Sequence, residues 1–410
     1  MPRSRSLATL LMLASLISHP AWGDEPREHA SAVEVLELSD GGIQPQAAVD
    51  DSGTIHLVDF RGDPAGGDLF YCRTEATSGP GRTKLSRPVR VNSQPGSAIA
   101  IGTIRGGQLA VGRGGRVHVA WNGSNGARPR NPAASVPMLY SRSDPSGTAF
   151  EPQRNLMHTT SALDGGGTVA ADREGNVYVA WHARTEDAGP GEAHRRMWLV
   201  RSNDDGATFS AEEPAFDEPT GACGCCGTRA LAGRDGAVYL LYRAATKGVD
   251  RDMYLLRSDD RGLRFRGEAL GRWRAQVCPM SSAALADSAD GVRAAWETEG
   301  QVYFSRLDPQ THRSSPPVAP PPGGAPSANR KHPAVAANSR GETILVWTEG
   351  TGWQQGGSLV WQVFDRDGRP TGRAARIESG VPVWSFATVV ARPDGGFVIV
   401  TSRAESRREK

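Results

Sequence analysis

A paired-strand unit that recurs seven times restricts this chain more than any other feature. Its clearest copy runs from Gly236 to Phe265 and reads GAVYLLYR, a polar loop, then DMYLLRSDDRGLRF. Val238, Leu240 and Tyr242 alternate with Tyr239 and Leu241, so both faces of the first run are apolar or aromatic, as in a strand covered on two sides. The second run, Met253 to Leu256, ends in the turn Ser258-Asp259-Asp260-Arg261-Gly262-Leu263-Arg264-Phe265. There Ser and Asp side chains accept bonds from turn amides, Gly supplies φ > 0, and Phe packs the turn onto the sheet. The first strand recurs as GTIHLVDF from Gly53, GRVHVAW from Gly115, GNVYVAW from Gly175, GVRAAW from Gly291, GETILVW from Gly341 and GGFVIV from Gly395. A short small-residue strand precedes each: QAAVDD, QLAVGR, TVAADR, RALAGR, AALADS, AVAANS and ATVVAR. Strand pairs at a spacing of roughly 50–60 residues imply radial repetition, so the expected fold class is all-β, a β-propeller. Seven pairs favour seven blades. The alternating segment Val33 to Leu38 is expected to close the ring as an outer strand of the C-terminal blade, Ser385 to Ser402, which is short of outer strands.

The turn also recurs with losses. Ser202-Asn203-Asp204-Asp205-Gly206-Ala207-Thr208-Phe209 matches the Ser258 copy, whereas Ser143-Asp144-Pro145-Ser146-Gly147-Thr148-Ala149-Phe150 keeps the frame and shifts the Asp. Asp365-Arg366-Asp367-Gly368 and Ser305-Arg306-Leu307-Asp308 are remnants. These copies resemble the Asp-box (BNR) repeats of sialidase-like propellers, and the resemblance covers nearly all of the mature chain. It implies that the boxes are structural turns on the outer part of each blade, away from the ligand face. Six blades, usual in that family, are the alternative count.

The 410 residues are enough for a large core, and the repeat makes residues 24–410 one propeller domain rather than the two or three domains that length alone suggests. Residues 1–23 read as a secretory signal peptide: Arg3 and Arg5 start it, Leu7 to Ile17 is its apolar run, and Ala21-Trp22-Gly23 offers small residues for cleavage near Gly23. An uncleaved anchor is the alternative. A periplasmic or extracellular location follows, and disulfides are permitted there. A formal charge of +2 with both signs interspersed argues against a nucleic-acid partner. Nothing in the mature part is long and apolar enough for a membrane span. The chain is expected to act as a monomer. Pro316 to Pro326 reads as an extended connector and Ser402 to Lys410 as a charged tail.

In a propeller the end of each second strand and the start of the next inner strand share a face around the channel. Second-strand ends carry Asp59-Phe60-Arg61, Trp121-Asn122, Trp181-His182, Tyr242-Arg243, Trp296-Glu297 and Trp347 with Glu349. The aromatics are expected to pack between blades and the polar residues to form a rim that can face a ligand. Before Arg229 comes Cys223-Gly224-Cys225-Cys226; before Ser281 comes Cys278-Pro279-Met280; at the matching place in the next unit stands His332-Pro333. Three readings stay open. One of Cys223, Cys225 or Cys226 pairs with Cys278 and braces neighbouring blades. Alternatively Cys223, Cys225, Cys226 and Cys278, with His332, Met280 or His182 nearby, hold a soft metal, copper first and zinc second. The third reading is a reactive thiol. Five cysteines are an odd number and Cys72 lies in another blade, so at least one thiol is expected to stay free or bind a metal.

The family resemblance implies, for a working sialidase, an arginine triad for the substrate carboxylate, an Asp acid/base and a Tyr–Glu nucleophile pair. Arg61, Arg229 and Arg243 are the candidates for a basic cluster, and Glu297 for an acid or base. The family's Phe-Arg-Ile-Pro motif is absent, Phe60-Arg61-Gly62-Asp63-Pro64 being a loose echo, and no tyrosine follows Tyr303. The Cys-x-Cys-Cys and Cys-Pro insertions also resemble a group of secreted bacterial sialidase-like proteins, which implies a shared cysteine site. The reading drawn from all of this is a propeller that binds a metal ion or a small anionic or glycan ligand at a cysteine-lined channel face. The alternatives are a sialidase or other glycoside hydrolase, and a non-catalytic interaction scaffold with disulfide-braced blades.

Overall fold

The computed structural model describes Met1 and residues 32–75, 83–133, 135–322 and 329–403. The expected signal peptide, part of the proline-rich connector and most of the charged tail lie outside the described residues. Contacts divide the chain into two compact units, Met1–Ser31 and Ala32–Lys410. The second carries every described strand.

The strands form seven sheets. The first blade comprises Ile43–Val49, Ile55–Arg61, Asp68–Arg73 and Val89–Arg90. The second comprises Gln108–Val111, Val117–Asn122, Met138–Arg142 and Arg154–Asn155. The third is built from Thr168–Ala171, Val177–Thr185, Arg196–Ser202 and Glu213–Pro214, with Thr160–Ser161 beside the end of its second strand. Arg229–Ala232, Val238–Arg243, Met253–Ser258 and Arg266–Gly271 make the fourth. Ala284–Ala286, Arg293–Thr298 and Gln301–Arg306 make the fifth, and Arg330–Ala337, Thr343–Glu349, Gly357–Phe364 and Pro370–Val381 the sixth. The seventh joins Thr388–Ala391 and Phe397–Ser402 to the N-terminal strand Val33–Leu38. That last pairing is parallel, from Val33 opposite Phe397 to Leu38 opposite Ser402, and closes the ring as expected. The count is seven, not six.

Each blade is apolar on both faces, so it must be covered by a neighbour on each side. The buried hydrophobic residues accordingly fall into seven clusters, and each is shared between two adjacent blades. Trp121 packs with Phe60 and Leu69 of the first blade, Trp181 with Met138 and Tyr140 of the second, and Trp296 with Leu241 and Met253 of the fourth. The aromatics at the second-strand ends are therefore seam residues. The small inner strands leave a central channel of about 1280 Å³, half of its lining alanine, valine and leucine, with residues from all seven blades.

The polar turns close the opposite face from the second-strand ends. Ser202 pairs with Val177 at the start of its neighbour strand, while His182 at the far end pairs with Met197. In the Ser202 turn the serine Oγ accepts the Gly206 amide at 2.9 Å and Asp204 Oδ1 accepts the Thr208 amide at 2.9 Å. The Ser258 turn repeats this with Gly262 at 2.8 Å and Arg264 at 2.8 Å. In the shifted copy Asp144 takes the same role, accepting Thr148 and Ala149 amides at 2.8 and 3.2 Å. Phe209 stands edge-on to Tyr140 and Phe150 edge-on to Tyr71, so each turn is pinned to the preceding blade.

Asp204→Ala is expected to lower stability by roughly 1 kcal/mol, the net value of the bonds it removes, without changing the thiol count of the opposite face. Slight burial opposes ionisation of Asp204, but the Thr208 hydroxyl and amide outweigh it and hold the carboxyl near 2, against an ordinary value of 3.8. Its contribution is therefore present above pH 3.8 and lost as pH falls through 2. Denaturant midpoints of both chains between pH 2 and 6 check this: the gap should narrow at the acid end.

Candidate functional site

The inner-strand entries of the fourth, fifth and sixth blades meet at one place on the channel face. The Gly227 amide donates to the Ser281 carbonyl at 2.9 Å, and the Ser281 hydroxyl accepts the His332 amide at 3.3 Å. Three segments remote in sequence are thereby stitched edge to edge. The Cys223–Thr228 loop lies among them and beneath the Gly165–Gly166 loop of the third blade, which has no room for side chains. A Cβ on Gly165 would meet the Gly224 carbonyl at 3.0 Å, and one on Gly166 the Cys226 carbonyl at 2.6 Å.

Cys225 and Cys278 form a disulfide across 53 residues, joining the fourth and fifth blades as one of the sequence readings expected. Cys223 and Cys226 stay reduced and buried. Cys223 Sγ lies 3.3 Å from Cys225 Sγ and donates to Cys226 Sγ at 3.5 Å. The three sulfurs of Cys223, Cys225 and Cys226 fall within 4.8 Å of one another, the one group of this kind among the described residues. The remaining thiol, Cys72, is buried in the first blade against the seventh-blade seam, and burial pushes its pKa up to about 12.

The loop is held by two acidic residues of different blades. Glu192, in a short turn of the third blade, accepts the Gly224 amide at 2.6 Å and pairs with Arg251 at 2.6 Å, while its carbonyl accepts the Ala222 amide at 3.0 Å. The Cys223 amide donates to the Arg243 carbonyl at 2.9 Å. Arg243 in turn donates to the Arg251 carbonyl at 2.8 Å and to the Glu297 carbonyl, and its guanidinium lies 3.5 Å from the Glu297 carboxylate. Burial opposes ionisation of Cys226, but the Cys223 hydrogen bond, Arg243 and the Ser281 amide outweigh it and bring the thiol down to about 7. Donation to Cys226, with burial, pushes Cys223 up.

The other sequence candidates are placed as follows. Arg243 and Glu297 are 1% exposed and bound to each other, under the thiol loop rather than open to the channel. Burial raises the Glu297 pKa, against the pull of Arg243. Arg61 stays in the first blade, paired with Asp59 at 2.7 Å and Asp40 at 3.0 Å, and does not join Arg243. Arg229 lines the channel with no carboxylate partner among the described residues. His332 is outside the sulfur group; it stacks on Phe386, and burial, then Lys331 and Arg229, push its pKa down to about 3. With Met280 it lines a small pocket at the channel mouth. His182 is fully buried, and its Nε2 accepts the Asp164 and Gly165 amides at 3.3 and 3.4 Å. Glu192, Arg251 and Lys331 were not foreseen, since each sits in a loop or strand end with no motif of its own. Gln44, Met280, His332 and Trp384 take positive φ at inner-strand entries, an uncommon conformation for non-glycine residues.

No protein-family model and no curated protein matches the chain. Solved structures similar to it include a protein of unknown function from Dyadobacter fermentans DSM 18053, at 13% identity over 78% of this chain and 94% of that one, TM-score 0.49. A Hadza microbial sialidase matches at 14% identity over 88% and 94%, TM-score 0.46, and a polysaccharide lyase acting on ulvan at 13% over 76% and 77%, TM-score 0.44. The first of these has no stated activity, and likeness at this level carries no argument about chemistry.

Two outcomes test the site's construction. Thiol titration of the unfolded, unreduced protein should count three groups, Cys72, Cys223 and Cys226, rising to five after reduction. Glu297→Ala should cost about 3–5 kcal/mol by stranding Arg243, and Arg243→Met with Glu297→Met should recover most of it. Chemical denaturation of the single and double variants reads both.

Proposed function

We propose that this chain is a periplasmic or extracellular propeller that binds a soft metal ion, Cu(I) before Zn(II), at the Cys223–Cys226 thiol pair. The observation that carries the reading is the placement of two reduced, buried sulfurs 3.5 Å apart and directed at each other, with a third sulfur alongside. Two thiolates bound to one ion at about 2.3 Å each stand at most about 4.6 Å apart, so the pair can close on an ion with little movement. Cu(I) is satisfied by soft sulfur donors in low number, whereas structural zinc takes four ligands. With Cys225 and Cys278 tied to each other, only two thiols are on offer, which favours Cu(I). Arg243 and Arg251 supply compensating positive charge beneath the sulfurs. The burial of Glu297 and its attachment to Arg243 favour binding over glycoside hydrolysis, since a general acid has to reach its substrate.

Anaerobic titration with Cu(I) against a competing chelator should give one equivalent per chain. Cys223→Ser and Cys226→Ser should each weaken binding at least about 100-fold, and Cys72→Ser should change nothing. Retention of full affinity in both site variants would overturn the reading.

A further inference from the structure

Two cations at the channel mouth have no acidic partner among the described residues. Arg229 stands in the channel wall; its Nη1 donates to the Thr228 carbonyl at 2.9 Å, and it makes no ion pair among the described residues. Lys331 donates to the Pro279 carbonyl at 2.9 Å and likewise pairs with no carboxylate among them. Their neighbours are treated differently. Arg105 is paired with Asp164, Arg195 and Arg251 with Glu192, Arg243 with Glu297, and Arg330 with Glu349. Glu297 is close enough to feel Lys331, but its carboxylate is committed to Arg243. A half-buried cation without a counterion is held at some cost, and here burial alone lowers the Arg229 pKa to about 10.

The surroundings are built to receive negative charge. His332 lies within the field of both cations, which together with burial keep its ring neutral. Its Nδ1 is buried without a hydrogen-bond partner, and so is the indole Nε1 of Trp384. Lys331, His332, Thr351, Trp353 and Trp384 line a pocket with room for about one water-sized group, roughly 10 Å³. No carboxylate lines it. Beside it Trp353 is 51% exposed, its ring 5.9 Å from that of Trp384. An exposed indole at the rim of a basic pocket offers a flat apolar face to whatever body carries the charge.

We propose that the channel mouth binds an oxyanion carried by a small organic ligand, with Arg229 and Lys331 supplying the charge, Trp384 and His332 the ring N–H donors, and Trp353 the face for the body. One oxygen of the anion fills the small pocket. The site shares no side chain with the thiol pair, so it stands or falls separately from metal binding.

Thermal melting of the full chain against sodium sulfate and sodium glucuronate, each with sodium chloride at matched ionic strength, tests it. Sulfate raises melting temperatures generally, so the difference between chains is the readout. The unmodified protein should gain about 2–4 °C more than Arg229→Met at saturation. Lys331→Met should lose the same increment, and it decides the question if Arg229→Met does not fold. Without added anion Arg229→Met should melt at or above the unmodified chain, because an uncompensated charge is gone. Trp353→Ala should diminish the glucuronate increment and spare the sulfate one, which separates an organic ligand from a free inorganic ion. Equal increments in the unmodified chain and in whichever of the two cation variants fold would overturn the proposal.

Discussion

Every sheet in this protein is apolar on both faces, and no sheet can cover itself. The ring is the arrangement in which each of seven sheets is covered twice by sheets of its own kind. Its completion rests on a single strand, Val33–Leu38, laid parallel to Phe397–Ser402. Leu38 joins Leu57 of the first blade and Val398 and Val400 of the seventh in one buried seam, so the two ends of the propeller are held by hydrophobic contact as well as by the strand ladder. Burial of apolar surface in these seven seams is the dominant favourable term for such a ring.

Closure also determines what the channel face can contain. It brings Cys223–Cys226, Cys278 and His332, which lie on three successive units, to neighbouring positions around one rim. The disulfide then removes two of four nearby sulfurs and leaves a buried pair in which Arg243 favours ionisation of Cys226. The acidic groups of this region are almost all committed to arginines of adjacent blades, with Glu192 and Glu297 serving as braces under the cysteine loop. Against that background of paired charge, Arg229 and Lys331 stand out. The other cations of this rim are paired internally, and the two that are not, among the described residues, stand at an opening where a ligand can reach.

Backbone strain marks the same rim. Gln44, Met280, His332 and Trp384 hold left-handed conformations that cost of the order of 1–3 kcal/mol each. Gln44 shows how such a residue is retained: its amide group donates to the Ala100 and Trp384 carbonyls and accepts the Gly106 amide, so it ties the first, second and seventh blades together. His332 and Trp384 are held through their main chains, by Ser281 and Gln44, while His332 Nδ1 and Trp384 Nε1 have no hydrogen-bond partner among the described residues.

The amino-acid sequence alone determined the all-β propeller, favoured its seven units, and indicated its closing strand and the approach of the Cys223–Cys226 loop to Cys278, because period-two alternation and turn chemistry are local properties that repeat legibly. It also placed the second-strand aromatics in the seams. It left open which sulfurs would bond and which would stay reduced, since three cysteines within four residues are equivalent until the neighbouring blade chooses among them. It grouped Arg61, Arg229 and Arg243 as equals, and only the tertiary structure separated them. Arg61 and Arg243 found carboxylates, one next to it on its own strand and one on an adjacent blade, while Arg229 found none among the described residues. Glu192 and Lys331 carried no signal at all, because their partners come from other blades. Pairing between side chains far apart along the chain is decided by the angle and register at which sheets pack, and that is a property of the closed ring rather than of any one repeat.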